Sequence, residues 1–136
     1  MRRTIRTHVL KRNLSDQLFE TSQTACKHWW SRLNIAVFDG MLIQPARFEI
    51  RSMRDCYGWC KPWRPNSHTR RVVIGINDEF INRREFLTIL VHEMVHQWEW
   101  QMLGDWEFDS DPHGETFFLW QPKIRYRVGL PLEQQY

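Results

Sequence analysis

The stretch LVHEMVHQW, residues 90–98, carries two histidines four positions apart with a glutamate directly after the first. On an α-helix, positions i and i+4 stack on one face about one turn apart. His92 and His96 therefore offer two imidazoles to one point. Neutral imidazole nitrogen is a good ligand for zinc, which prefers tetrahedral coordination. Glu93 is offset from His92 by about 100° around the helix axis, so its carboxylate can reach a water on the metal rather than the metal itself. Two ligands and one general base are the logic of the H-E-x-x-H pattern. The motif sits among Phe86, Leu87, Ile89, Leu90, Met94 and Val95. Such a segment reads as buried, and two histidines and a glutamate are costly to bury without partners.

A catalytic zinc site takes three protein ligands and leaves the fourth position to water. His113, seventeen residues after His96, is the leading candidate for the third, and Gly114 beside it removes bulk where chain and metal approach. Glu115 is the rival, because related zinc peptidases use a glutamate from a following helix. Asp109 and Asp111 are weaker ones. An additional oxyanion donor is not fixed by spacing; Tyr126, Arg125 and His68 are candidates.

The elements that must position these residues read as follows. NLSDQLFETSQTACKHWWSRLNIAVFDG is predicted to be a long helix with Ser15 as its N-cap and an apolar stripe through Leu14, Leu18, Ala25, Trp29, Leu33 and Val37, ended by Asp39-Gly40. ARFEIRS, YGWCKPW and RRVVIGIN read as three strands of a small sheet, and an extended substrate is expected against the sheet edge near RRVVIGIN. Asn82 and Glu85 resemble a capping box for the central helix, predicted over residues 83–103 with Gly104 just past its end. Residues 105–111 form an acidic loop. Asp111-Pro112 then starts a last helix, expected to carry the third ligand and to bend or stop at Pro122. One tryptophan of each adjacent or near-adjacent pair, Trp29/Trp30 and Trp98/Trp100, is expected to stand half exposed. The order predicts an α+β fold: a three-stranded sheet packed against a long N-terminal helix and a central helix, with a third helix behind.

A chain of 136 residues with 42% hydrophobic, 26% charged and 14% aromatic content fits one compact soluble domain. No apolar run is long enough to span a bilayer and no secretory signal is recognisable. Cys26, Cys56 and Cys60 form an odd set without a disulfide pattern, which points to a reducing, cytoplasmic setting, with Cys56 and Cys60 as small core residues. The charge is strongly divided. Residues 1–75 hold fourteen Lys/Arg against five Asp/Glu, whereas residues 76–116 hold two against ten. A basic half suits a polyanionic partner such as DNA, single-stranded or at a junction. Trp59, Lys61, Trp63, Arg64, Arg70 and Arg71 interleave rings with cations, a composition suited to stacking on bases and meeting phosphates. The alternative is a loop whose tryptophans pack on the core while its charges face water.

HEMVH followed by HGETF, with NIAVFDGML ahead of them and YGWC between, resembles the SprT-like zinc metallopeptidase domain, found in bacterial SprT proteins and in the Spartan protease that digests proteins crosslinked to DNA. The similarity runs from about residue 29 to about residue 128. It implies a zincin-like α+β fold and one zinc ion. It also implies hydrolysis of peptide bonds in a protein substrate, often near DNA, with His92, His96 and His113 as ligands and Glu93 as base. No Cys-rich zinc ribbon follows. The expectation is a minimal stand-alone domain over residues 1–136, with residues 1–13 as a basic arm, of the compact kind found in bacteria or phages. The competing function is a non-proteolytic DNA- or protein-binding module with a structural zinc.

Overall fold

A computed structural model of the protein describes residues 18–64, 70–104 and 113–133. In chain order these form β1 (Phe19–Glu20), α1 (Gln23–Phe38), β2 (Arg47–Arg51), β3 (Gly58–Pro62), β4 (Val72–Asn77), β5 (Glu79–Phe80), α2 (Arg83–Trp98), a π-helical turn (Glu99–Leu103), α3 (Glu115–Phe118) and α4 (Gln121–Val128). The fold is α+β, as the sequence order predicts. Among the described residues no helix is long and apolar enough to cross a membrane.

The first helix begins later than its apolar stripe suggests. Ser22, not Ser15, caps it by accepting the Ala25 amide at 3.0 Å, and Ser15 lies outside the described residues. The preceding residues are extended because a tertiary partner claims them. Phe19 and Glu20 pair antiparallel with Phe80 and Glu79, and the Phe19 ring stacks on Phe86 at 4.5 Å between centroids. Leu18 is consequently left exposed. At the other end the turn signal holds: Asp39 adopts the left-handed conformation with φ 55°.

The three predicted strands form one sheet in the order β2-β4-β3, with β2 parallel and β3 antiparallel to β4. RRVVIGIN thus supplies the central strand, and both of its edges are already hydrogen-bonded. Among the described residues β2 and β3 are the edge strands, with Gly58 of β3 against the motif helix, so RRVVIGIN is not the edge strand that was expected. Phe48, Cys60, Val72, Ile74 and Ile76 are buried and share the core with α2. On the opposite face the Trp59 ring lies across Gly75, filling the space a Cβ would need.

Asn82 caps α2, its side chain accepting the Glu85 amide at 2.9 Å, while Glu85 reaches back to the Ile81 amide at 3.2 Å. The long predicted helix is a composite, α-helical to Trp98 and π-wound to Leu103. Gly104 closes it with φ 67°, where an added Cβ would strike the Arg70 guanidinium. The last helix is broken, with α3 ending before Leu119 and α4 beginning at Gln121 with Pro122 in its first turn, a position where proline's missing N–H is harmless.

Three side-chain amides join α1 to α2 and the π turn through the irregular segment at residues 41–43. Asn34 donates to the Leu42 carbonyl at 3.1 Å and accepts its amide at 3.0 Å. Gln101 accepts the Ile43 amide at 2.7 Å and donates to the Met41 carbonyl at 2.8 Å. Gln97, fully buried, donates to the Ile43 carbonyl at 2.6 Å and accepts the Trp30 indole N–H at 3.0 Å. Main-chain groups that no strand serves are thereby satisfied. Trp30 is buried because its N–H has this partner, and Trp29 is buried beneath the guanidinium groups of Arg32 and Arg83. The expectation that one of them stands half exposed is overturned, while Trp98 and Trp100 are both half-buried. Cys60 is a core residue, but Cys56 is exposed, contrary to expectation. Gln97→Ala strands a buried indole N–H and a carbonyl, and should cost roughly 1–3 kcal/mol. Urea unfolding of the variant measures it, and a loss near zero would deny the bracing role.

Candidate metal centre

α2 presents His92 and His96 one turn apart, both buried, with ring centroids separated by 5.1 Å. His113 reaches them from the turn just ahead of α3, so the third histidine stands before the helix rather than on it. Its Nε2 lies 3.2 Å from Nε2 of His92 and 3.3 Å from Nε2 of His96. One ring proton on His113 can serve only one of these contacts, so at the other the nitrogens meet without a shared proton. A cation resolves that conflict. Two nitrogens bound to a tetrahedral zinc at about 2.0–2.1 Å stand roughly 3.3–3.4 Å apart, which is the spacing found here. The three side chains form a group able to hold a metal ion, with all ligand atoms within 4.8 Å of one another. Of the rivals, Glu115 is exposed in the first turn of α3 and outside this group. Asp109 and Asp111 lie outside the described residues.

Phe117 is the floor of the cluster, and spacing arguments on ligand types did not single it out. Its ring centroid is 4.9 Å from that of His92, 4.7 Å from His96 and 4.9 Å from His113, and it is fully buried. The available signal was the interval of four residues from His113. One aromatic ring touching all three imidazoles limits their rotation and keeps water from their backs.

The outer ring nitrogens differ in surroundings. His96 Nδ1 faces Glu99 Oε1 at 3.2 Å. The main chain at Glu133 acts electrostatically on His92, so the chain end that follows α4 returns to the centre. Glu93 is buried as well, at 6% exposure. Its Cγ lies beside Gly58, where an added Cβ would come within 3.3 Å of it and within 2.8 Å of Ile89 Cγ2. The absence of a side chain at Gly58 is what lets the first residue of β3 lie against the glutamate.

The remaining sequence candidates fall elsewhere. Arg125 and Tyr126 stand on α4 and line an open surface depression with Gln121 and Pro122, Tyr126 being 82% exposed. His68 lies outside the described residues, as does the acidic loop from residue 105. Within the aromatic and basic set, Arg64 and Arg70 lie over the Trp100 ring at 4.9 and 5.3 Å, and Arg70 donates to the Trp100 carbonyl at 3.1 Å. Arg71 lies over Trp63 at 5.2 Å and donates to the carbonyls of Gln44 and Pro45. Arg70 and Arg71 thus serve the fold. Lys61 sits over Trp59 at 4.6 Å on the sheet face away from α2.

Burial holds the His92 pKa down to about 2 from its ordinary 6.5, helped by His96 and His113 and opposed by the main chain at Glu133. In the unfolded chain the same imidazole takes its proton near 6.5. The unfolded state therefore binds the extra proton between those values, and the metal-free protein loses stability as pH falls from 6.5 toward 2. Denaturant titrations with chelator present should give a lower unfolding free energy at about pH 5 than at about pH 7. His92→Gln should flatten that dependence, and an unchanged slope would contradict the buried neutral imidazole.

Among curated proteins none matches the chain. The family model described as SprT-like matches residues 26–135, from the first helix through the histidine cluster to beyond Glu133. With that much of its length accounted for, the chain belongs to the SprT-like family.

Proposed function

We propose that this protein is a zinc-dependent metallopeptidase with a zincin-like arrangement, in which His92, His96 and His113 hold one zinc ion and Glu93 is the general base. The observation that carries the reading is the spacing of the three Nε2 atoms, 3.2 and 3.3 Å, with a buried glutamate next in sequence to the first ligand. Zinc, when bound, supplies a Lewis acid that acidifies water and polarises the scissile carbonyl. Glu93 takes the proton from the attacking water and returns it to the leaving amine. Gly58 keeps the start of β3 beside that carboxylate, so a peptide adding to the free edge of β3 would run past the base. Phe117 closes the inner side of the rings.

A structural zinc in a non-proteolytic module is less well supported. Structural sites are closed by four protein ligands, whereas catalytic ones keep a position open. Among the described residues the group offers three ligand atoms, and a structural ion has no use for an adjacent buried glutamate. Glu93→Gln should retain one zinc per chain and lose cleavage of an unfolded protein substrate by about 10²–10⁴-fold. Metal analysis and a gel assay on the same preparation decide it. Cleavage at the wild-type rate by the variant would remove Glu93 from the mechanism, and a wild-type protein that takes up no zinc would remove the proposal.

DNA-associated proteins are the substrates we read from the charge division, with fourteen cations in the first 75 residues. Trp59 and Lys61, together with the exposed Arg47 and Arg51 on the same face of the sheet, are the available contacts. Single-stranded DNA should accelerate cleavage of a DNA-binding protein and lose that effect as salt rises. A rate indifferent to DNA at low salt would limit the reading to general proteolysis.

A further inference from the structure

Glu99 is a charged residue type with only 8% of its surface exposed. Its Oε1 lies 3.2 Å from His96 Nδ1. The main chain around it is fixed from both sides. Its amide donates to the carbonyls of Val95 and His96 at the end of α2. Its own carbonyl accepts the Gly104 amide where the π turn closes. Glu99 is the first residue of that turn, and π-helical turns inside helices are frequent at functional sites. With His96 Nε2 directed at the other two histidines, the ring proton belongs on Nδ1, where the Glu99 carboxylate accepts it.

Resting on the metallopeptidase reading, we propose that Glu99 is a positioning residue for the metal. Its carboxylate fixes the tautomer and the ring plane of His96 and makes Nε2 a stronger donor, as outer carboxylates do for metal-bound histidines. The π turn and the Gly104 closure hold the carboxylate in place.

Zinc affinity by competition with a chromophoric chelator tests this on the whole chain, with Glu99→Gln and Glu99→Ala beside wild type. Glu99→Ala should weaken zinc binding by about 10–100-fold. Glu99→Gln, which keeps an acceptor but not the charge, should fall between it and wild type. The visible spectrum of the cobalt-substituted protein should shift in both, and saturating zinc should restore peptidase activity, which a mere packing defect would not allow. Thermal unfolding of the metal-free forms checks folding, and the near-isosteric Gln variant decides if the Ala variant does not fold. Zinc affinities within twofold of wild type with an unchanged cobalt spectrum would overturn the role of Glu99 and leave the peptidase reading standing. A wild type that binds no zinc would end both.

Discussion

A helix buried on every side has to carry the polar groups of the centre. From Phe86 to Gln97 each residue of α2 is buried, and this run includes Thr88, His92, Glu93, His96 and Gln97. An unpartnered polar group in such a place costs several kcal/mol by transfer estimates (about 2–7), so the surrounding elements are arranged to meet these side chains. Thr88 donates to the Arg84 carbonyl at 2.8 Å. Gln97 takes the Trp30 indole and the Ile43 carbonyl. His96 has Glu99. The inner nitrogens of the two histidines both face His113 Nε2, at 3.2 and 3.3 Å.

The same constraint orders the rest of the molecule around the helix. The first helix comes close because Asn34 and Trp30 are tied to the segment at residues 41–43 and to Gln97. The sheet comes close because β3 opens with Gly58 against Ile89 and Glu93. The turn before α3 brings in His113, and Phe117 four residues later fills the space under the three rings. The π turn carries Glu99 to His96, and Arg70 secures that turn by its bond to the Trp100 carbonyl. Arg70 and Arg71 belong on composition to the basic set, and their hydrogen bonds to main-chain carbonyls also make them braces of the fold.

The pair His92 and His96 was legible because a helix fixes the relation of i to i+4 without help from the rest of the chain. The caps at Asn82 and Gly104 and the three strand segments were legible for the same reason, being local chemistry of turns, side-chain acceptors and β-branched runs. His113 was named from its interval and its glycine, while its place in a turn ahead of the helix was not. The register of the sheet, with RRVVIGIN in the middle, was not legible either, since pairing order depends on segments far apart in sequence. Nor was the late start of the first helix, where Phe19 and Glu20 give up helical periodicity to pair with Phe80 and Glu79.

By itself the sequence determined the chemistry on offer: two imidazoles and a carboxylate on one helical segment, a third imidazole within reach, and a basic half joined to an acidic one. Only tertiary structure decided which groups stand behind the histidines and which strand lies in the middle of the sheet. Glu99, Phe117, Gln97 and the main chain at Glu133 gained their parts through contacts that the burial of α2 demanded. Local spacing governs what one turn of helix can present. The satisfaction of buried polar groups is settled by whichever distant elements pack against it, and no short stretch of residues encodes that outcome.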